Sequence, residues 1–130
     1  MKDAKFAVAV NCMDGRVQVP VINFLKEKYG VDYVDMITEP GPDKILAENR
    51  SSSAADSIRK RVEISITKHF SKLIAVVAHY DCAGNPVDRE IHIKHLHAAV
   101  ETVKSWGFDA DVIGLWVDDK WQVHEVIGIR

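Results

Sequence analysis

Cysteine is scarce in this chain, with two in 130 residues, so its stability cannot come from a disulfide framework. No apolar run approaches the length of a membrane span. No basic patch or basic run stands out, and the net charge is −2, which removes the electrostatic footprint of a nucleic-acid binder. Internal repeats, linkers and low-complexity stretches are missing too. The opening Met1-Lys2-Asp3-Ala4-Lys5, followed by five apolar residues, is too short for a signal peptide and has no cleavage site. The expectation is therefore one domain over residues 1–130 in the reducing cytoplasm. There, thiols serve more often as ligands or nucleophiles than as disulfide halves.

What is present is a regular alternation. Lys5 to Val10 is apolar on both faces, as a central parallel strand should be, and Tyr33 to Thr38, Leu73 to Ala78 and Val112 to Val117 read as further strands. Between them, Pro20 starts an amphipathic helix that ends at Gly30. Ser51-Ser52-Ser53 offers N-caps for a helix from Ala54 to about Phe70, and a long helix runs from Val87 to about Trp106. Glu39-Pro40-Gly41-Pro42-Asp43 reads as irregular, with a helical turn over Lys44 to Glu48. After the turn Asp118-Asp119-Lys120, Trp121 to Ile129 reads as a last strand, with Trp121, Val123, Glu125 and Ile127 on one face. The predicted fold is α/β: a central parallel sheet ordered 2-1-3-4, helices on both faces, and an antiparallel C-terminal edge strand.

Both cysteines follow apolar strands directly. Cys12 stands in Asn11-Cys12-Met13-Asp14-Gly15-Arg16 after the first strand, and Cys82 in His79-Tyr80-Asp81-Cys82 after the third. Open parallel sheets bind ligands at the carboxyl ends of their strands, where the strand order reverses. In a 2-1-3-4 sheet those two ends are neighbours, so Cys12, His79 and Cys82 can converge on one metal. Two sulfurs and one imidazole nitrogen favour zinc, and three protein ligands leave a fourth position open, as catalytic zinc requires. Asp14 can close that position as a fourth ligand, or pair with Arg16 and leave it open to water. A redox or nucleophilic thiol is the alternative on the same residues, but there is no Cys-x-x-Cys pair.

These two motifs resemble those of the β-class carbonic anhydrases. Cys12-Met13-Asp14-Gly15-Arg16 is similar to that family's Cys-x-Asp-x-Arg, and His79-Tyr80-Asp81-Cys82 to its His-x-x-Cys; the helix and strand from Val62 to Ala78 agree as well. The resemblance implies zinc on Cys12, His79 and Cys82 and an Asp14–Arg16 dyad that gates the site. It also implies reversible hydration of carbon dioxide to bicarbonate by zinc-bound hydroxide, in a homodimer or larger homo-oligomer. Several features depart from the family. The chain starts almost at the first strand, without the usual N-terminal helical arm, and Asp3 stands near the offset of the family's substrate-side glutamine. Ile37-Thr38-Glu39-Pro40-Gly41 replaces an Arg-Asn stretch, and pocket aromatics fall on Val34 and Ile64.

Two alternatives of function therefore stand beside the lyase. One is a non-catalytic zinc domain with a regulatory or interaction role; the other is a hydrolase of carbon disulfide or carbonyl sulfide. Without the arm, the sheet edge and the Pro40–Asp43 region are the expected contacts between subunits. His92, His95 and His97 on the long helix read as a solvated face, and His124 as an ordinary strand residue. Tyr80 and Asp81 gain no role from sequence.

Overall fold

A computed structural model describes residues 4–129. Asp3 lies outside the described residues. Five strands form one sheet in the order β2-β1-β3-β4-β5: β1 (Phe6–Cys12), β2 (Tyr33–Glu39), β3 (Leu73–His79), β4 (Asp111–Val117) and β5 (Val123–Ile127). The first four are parallel, and β5 runs antiparallel along β4. The expected sheet order and the antiparallel edge are both present. The two central strands are buried throughout β3 and nearly throughout β1, which accounts for their unbroken apolar character.

The helices divide between the faces. One face is covered by α1 (Gln18–Tyr29), through Val21 and Leu25 against Ala9, Ala75 and Leu115. The other carries α2 (Pro42–Glu48), α3 (Ser53–Lys68) and α4 (Arg89–Ser105), whose Leu46, Ile58, Val62, Leu96 and Val100 meet Val8, Val10, Ile74 and Val76. Caps fall where the sequence supplies them. Ser52 accepts from the Ala55 N–H, Asp88 from the Ile91 N–H, and Gly30 ends α1 in the left-handed region.

Three expectations are corrected. Pro42 does not end regular structure; it opens α2 at the first helical position, where its missing N–H costs nothing. The last strand is shorter than expected, and it carries a bulge. Gly114 pairs with Ile127 and Leu115 with Glu125, so Val126 is the extra residue. Val123 therefore packs on the α1 side while Ile127 crosses to the α4 side, against Gly114 and Leu96. Finally, His92 is not on a solvated face. It is fully buried and bonded to Asp43, itself buried. His95 is largely covered, and only His97 is exposed.

At the carboxyl end of the sheet the loop after β2 and the loop after β3 touch backbone to backbone. A Cβ on Gly84 would lie 2.4 Å from the Pro40 carbonyl carbon and 2.6 Å from the Gly41 nitrogen. Neither neighbour is a flexible side chain. Gly84→Ala is expected to lower the unfolding free energy by about 1–3 kcal/mol through this overlap. Urea denaturation measures it, and wild-type stability in the variant would show that the loops are not in contact.

Candidate metal centre

Cys12 ends β1, His79 ends β3, and Cys82 lies in the turn three residues later. Because β1 and β3 are neighbours in the sheet, their carboxyl ends bring all three side chains together, with ligand atoms within 4.8 Å of one another and every residue buried. Among the described residues no other such group of histidine, cysteine and acidic side chains forms. The two sulfurs are 3.9 Å apart, and both thiols are free. A tetrahedral ion bound to two thiolates at about 2.3 Å would set its sulfurs about 3.8 Å apart.

His79 is oriented for the same purpose. Its Nδ1–H donates to the Tyr80 carbonyl at 2.7 Å, which leaves the Nε2 lone pair free, and that atom is buried with no partner. An imidazole held through one nitrogen with the other turned into the cluster is the usual posture of a metal ligand. The residues therefore fit a divalent ion.

Charge on the sulfurs is managed from several sides. The two sulfurs share a hydrogen bond that lowers the pKa of Cys12 against the cost of burial, with His79 and the backbone at Gly41 and Asp14 assisting. The same bond, with burial adding to it, raises that of Cys82. The pair thus loses its first proton more readily than its second. For His79 burial is the largest influence and pulls downward, but its contacts with Cys12 and the Tyr80 carbonyl together leave its pKa raised.

Asp14 and Arg16 stand beside this cluster. Arg16 grips the Asp14 carboxylate through Nη2 at 2.7 Å and Nε at 3.1 Å, and its own backbone N–H donates to Asp14 at 2.9 Å. Asp14 is turned toward Arg16 and is not a member of the ligand cluster. Arg16 also reaches Asp81, through its carboxylate at 3.3 Å and its carbonyl at 3.2 Å, and lies 4.3 Å over the Trp121 ring. Asp81 and Trp121 thus acquire a role that sequence reading missed. Their left-handed backbones, at φ of 57° and 61°, are the physical mark of the two tight loops they occupy.

Two further residues shape the first turn. Asn11 is wholly buried; its amide donates to the Val17 carbonyl, and its oxygen accepts from the Cys12 N–H at 2.8 Å. Gln18 donates to the Cys12 and Asp14 carbonyls at 2.7 and 2.9 Å. A polar residue on either side of the first motif was the available signal, but nothing in their spacing shows which carbonyls they meet. The positions aligned with pocket aromatics do not line the centre: Val34 packs on the α1-side core, and Ile64 is exposed on α3.

With this geometry in view, relatives can be compared. A sequence profile for a family described as "Putative carbonic anhydrase" matches residues 2–127. The chain belongs to this family. Three solved structures share its fold. The β-carbonic anhydrase isoform I of Trichomonas vaginalis is 18% identical with a TM-score of 0.60, over 100% of this chain and 88% of that one. A carbonic anhydrase of Streptococcus mutans is 20% identical with a TM-score of 0.58, over 95% and 83% of the two chains. One of two tetrameric β-carbonic anhydrases of Sordaria macrospora is 13% identical with a TM-score of 0.60, over 96% and 82%. No curated protein sequence matches the chain. The fold is therefore that of the β-carbonic anhydrases.

The Arg16 bonds, which draw the Asp14 pKa down to about 2, have a pH signature. The folded value lies below the ordinary carboxylate value of about 4, so the pair contributes stability above that pH and loses it as pH falls through the folded pKa. In the metal-free protein, the Asp14 carboxyl followed by carbon-13 NMR is expected to titrate near the lower value. Arg16→Ala should return it toward the upper one; an unmoved midpoint would show that Arg16 does not hold it.

Proposed function

We propose that this family member is a zinc-dependent carbonic anhydrase that hydrates carbon dioxide reversibly to bicarbonate. The observation that carries the reading is the convergence of Cys12, His79 and Cys82, with the His79 Nε2 bare and buried among them. Cys12, His79 and Cys82 would hold the zinc. When bound, that ion supplies Lewis acidity, making a nucleophile from water near neutral pH. Arg16 keeps the Asp14 carboxylate ionised and away from the ligand cluster, and so leaves a fourth position open. Asp14 then accepts a hydrogen bond from the attacking water. A cleft of about 470 Å³, lined by Tyr80, Cys82, Arg89 and Trp116, reaches the centre and admits a small linear molecule. Carbon disulfide and carbonyl sulfide have the same shape, and their hydrolysis is the variant of this reading that the same groups would support.

Two thiolates leave less positive charge to acidify water than a three-histidine set does, so the rate should climb from about pH 6 to about pH 9. A homo-oligomer fits the fold. The Sordaria enzymes are described as tetrameric, and in this chain β2 is an open edge strand with Tyr33 exposed on it. Among the described residues no helix is long and apolar enough to cross a membrane, and two free thiols suit a reducing cytoplasm.

A second reading, a zinc domain with a regulatory or interaction role, is favoured by one feature. The loop after β2, where the sequence departs from the family pattern, meets its neighbour through backbone.

Metal analysis with stopped-flow hydration separates the two. The expected outcome is one zinc per chain and measurable turnover, with Asp14→Ala lowering kcat about 10²-fold at unchanged zinc content. Zinc without turnover at any pH would leave only the second reading. No zinc at all would remove both.

A further inference from the structure

Beneath the metal centre lies a buried polar network whose members come from three different segments. Asp43 is in the first turn of α2, Asn85 follows Cys82 by three residues, and His92 sits in the first turn of α4. The side chains of Asp43 and His92 are each 1% exposed, and Asn85 is fully buried. Asp43 Oδ2 accepts from His92 Nδ1 at 2.7 Å and from Asn85 Nδ2 at 3.0 Å. The second Asn85 amide hydrogen reaches His95 Nδ1 at 2.9 Å, so His95 carries its proton on Nε2, which faces Glu48 at 3.4 Å.

Stability alone does not account for this network. Burying a carboxylate and an imidazole is costly, and an apolar set of similar volume commonly serves a fold as well or better. Two atoms of the network, Asn85 Oδ1 and His92 Nε2, are buried without any partner, which adds to the cost. What the network does achieve is alignment. It ties the loop at 40–43 to the loop at 82–86 at the place where Gly41 and Gly84 are in backbone contact. Cys82 begins one of these loops, and the other follows Glu39, which pairs with Cys12 across β1 and β2. A pair of loops in contact moves together or not at all, so the anchor bears on where the Cys82 sulfur stands.

We propose that Asp43, Asn85 and His92 are positioning residues of the metal centre: they lock the two loops together, so that the Cys82 sulfur keeps its place beside Cys12 and His79. The proposal rests on the metal reading above and assigns a function to the loop that departs from the family pattern. Asp43 and His92 act on the metal only through that loop pair, and neither touches it.

The test is zinc affinity, measured by competition with a chromophoric chelator, on the full chain. Asn85→Ala keeps every backbone N–H and removes only the anchor; Asn85→Ser, too short to span to Asp43, is read in the same way if the alanine variant does not fold. Thr102→Val is the control. It deletes the Thr102 hydroxyl bond to the Leu46 carbonyl, 2.8 Å, in the same α2–α4 interface but away from the loops. Outer partners of metal ligands typically affect affinity by 10–100-fold, so Asn85→Ala is expected to weaken zinc binding by about that factor with its circular dichroism unchanged. Thr102→Val should lower the melting temperature and leave zinc affinity at the wild-type value. Wild-type affinity in the Asn85 variants, or an equal loss in the control, overturns the proposal while the metal reading stands. A wild-type chain that takes up no zinc overturns both.

Discussion

Two sulfur atoms 3.9 Å apart in a buried place cannot both carry charge without a cation between them, and much of this molecule is arranged around that constraint. The sheet order puts β1 beside β3, so that Cys12 and Cys82 meet although 70 positions separate them. The strands leading there are built of small and branched apolar residues, which allow α1 on one face and α2 to α4 on the other to close over the sheet. His79, at the end of β3, brings the third donor. Its tautomer follows from one bond to the next residue's carbonyl. His79 and backbone N–H groups are the polar neighbours of the sulfurs, and a divalent ion would complete the arrangement.

Arg16 holds the outer rim in the way the sulfurs hold the interior. It is nearly half exposed, and a surface ion pair contributes little to stability. Its value is geometric. One guanidinium fixes the Asp14 carboxylate bidentately, touches the loop that carries Cys82 through Asp81, and stacks on Trp121 from the loop before β5. Three loops from three strands thus share one planar cation. A lysine could supply the charge but not the fork or the stack.

The parts of this architecture that sequence reveals are those with a one-dimensional signature. Unbroken apolar runs mark the buried strands, Ser52, Asp88 and Gly30 mark helix ends, and a cysteine after each of two strands marks a converging pair. Contacts between helices leave no such trace. His92 looks like part of a polar helix face because Asp88, Arg89 and His95 stand three or four positions away, and Asp43 looks like a turn residue because prolines and a glycine precede it. Only the packing of α2 against α4 turns both inward and pairs them. The bulge at Val126 is equally silent, since an alternating pattern reads the same with or without one inserted residue. Asn11 and Gln18 were plain in the sequence as polar residues, but their partners are carbonyls, which every residue has.

The loop after β2 reaches its neighbour through backbone, and such a contact depends on chain path more than on side-chain identity. Gly41, at φ +62°, can take that path, and with no Cβ of its own it lies against Gly84, which also has none. The backbone of the loop after β2 thus closes on the neighbouring loop, on the side of the cluster away from the Asp14–Arg16 pair and the cleft walls at Tyr80, Arg89 and Trp116.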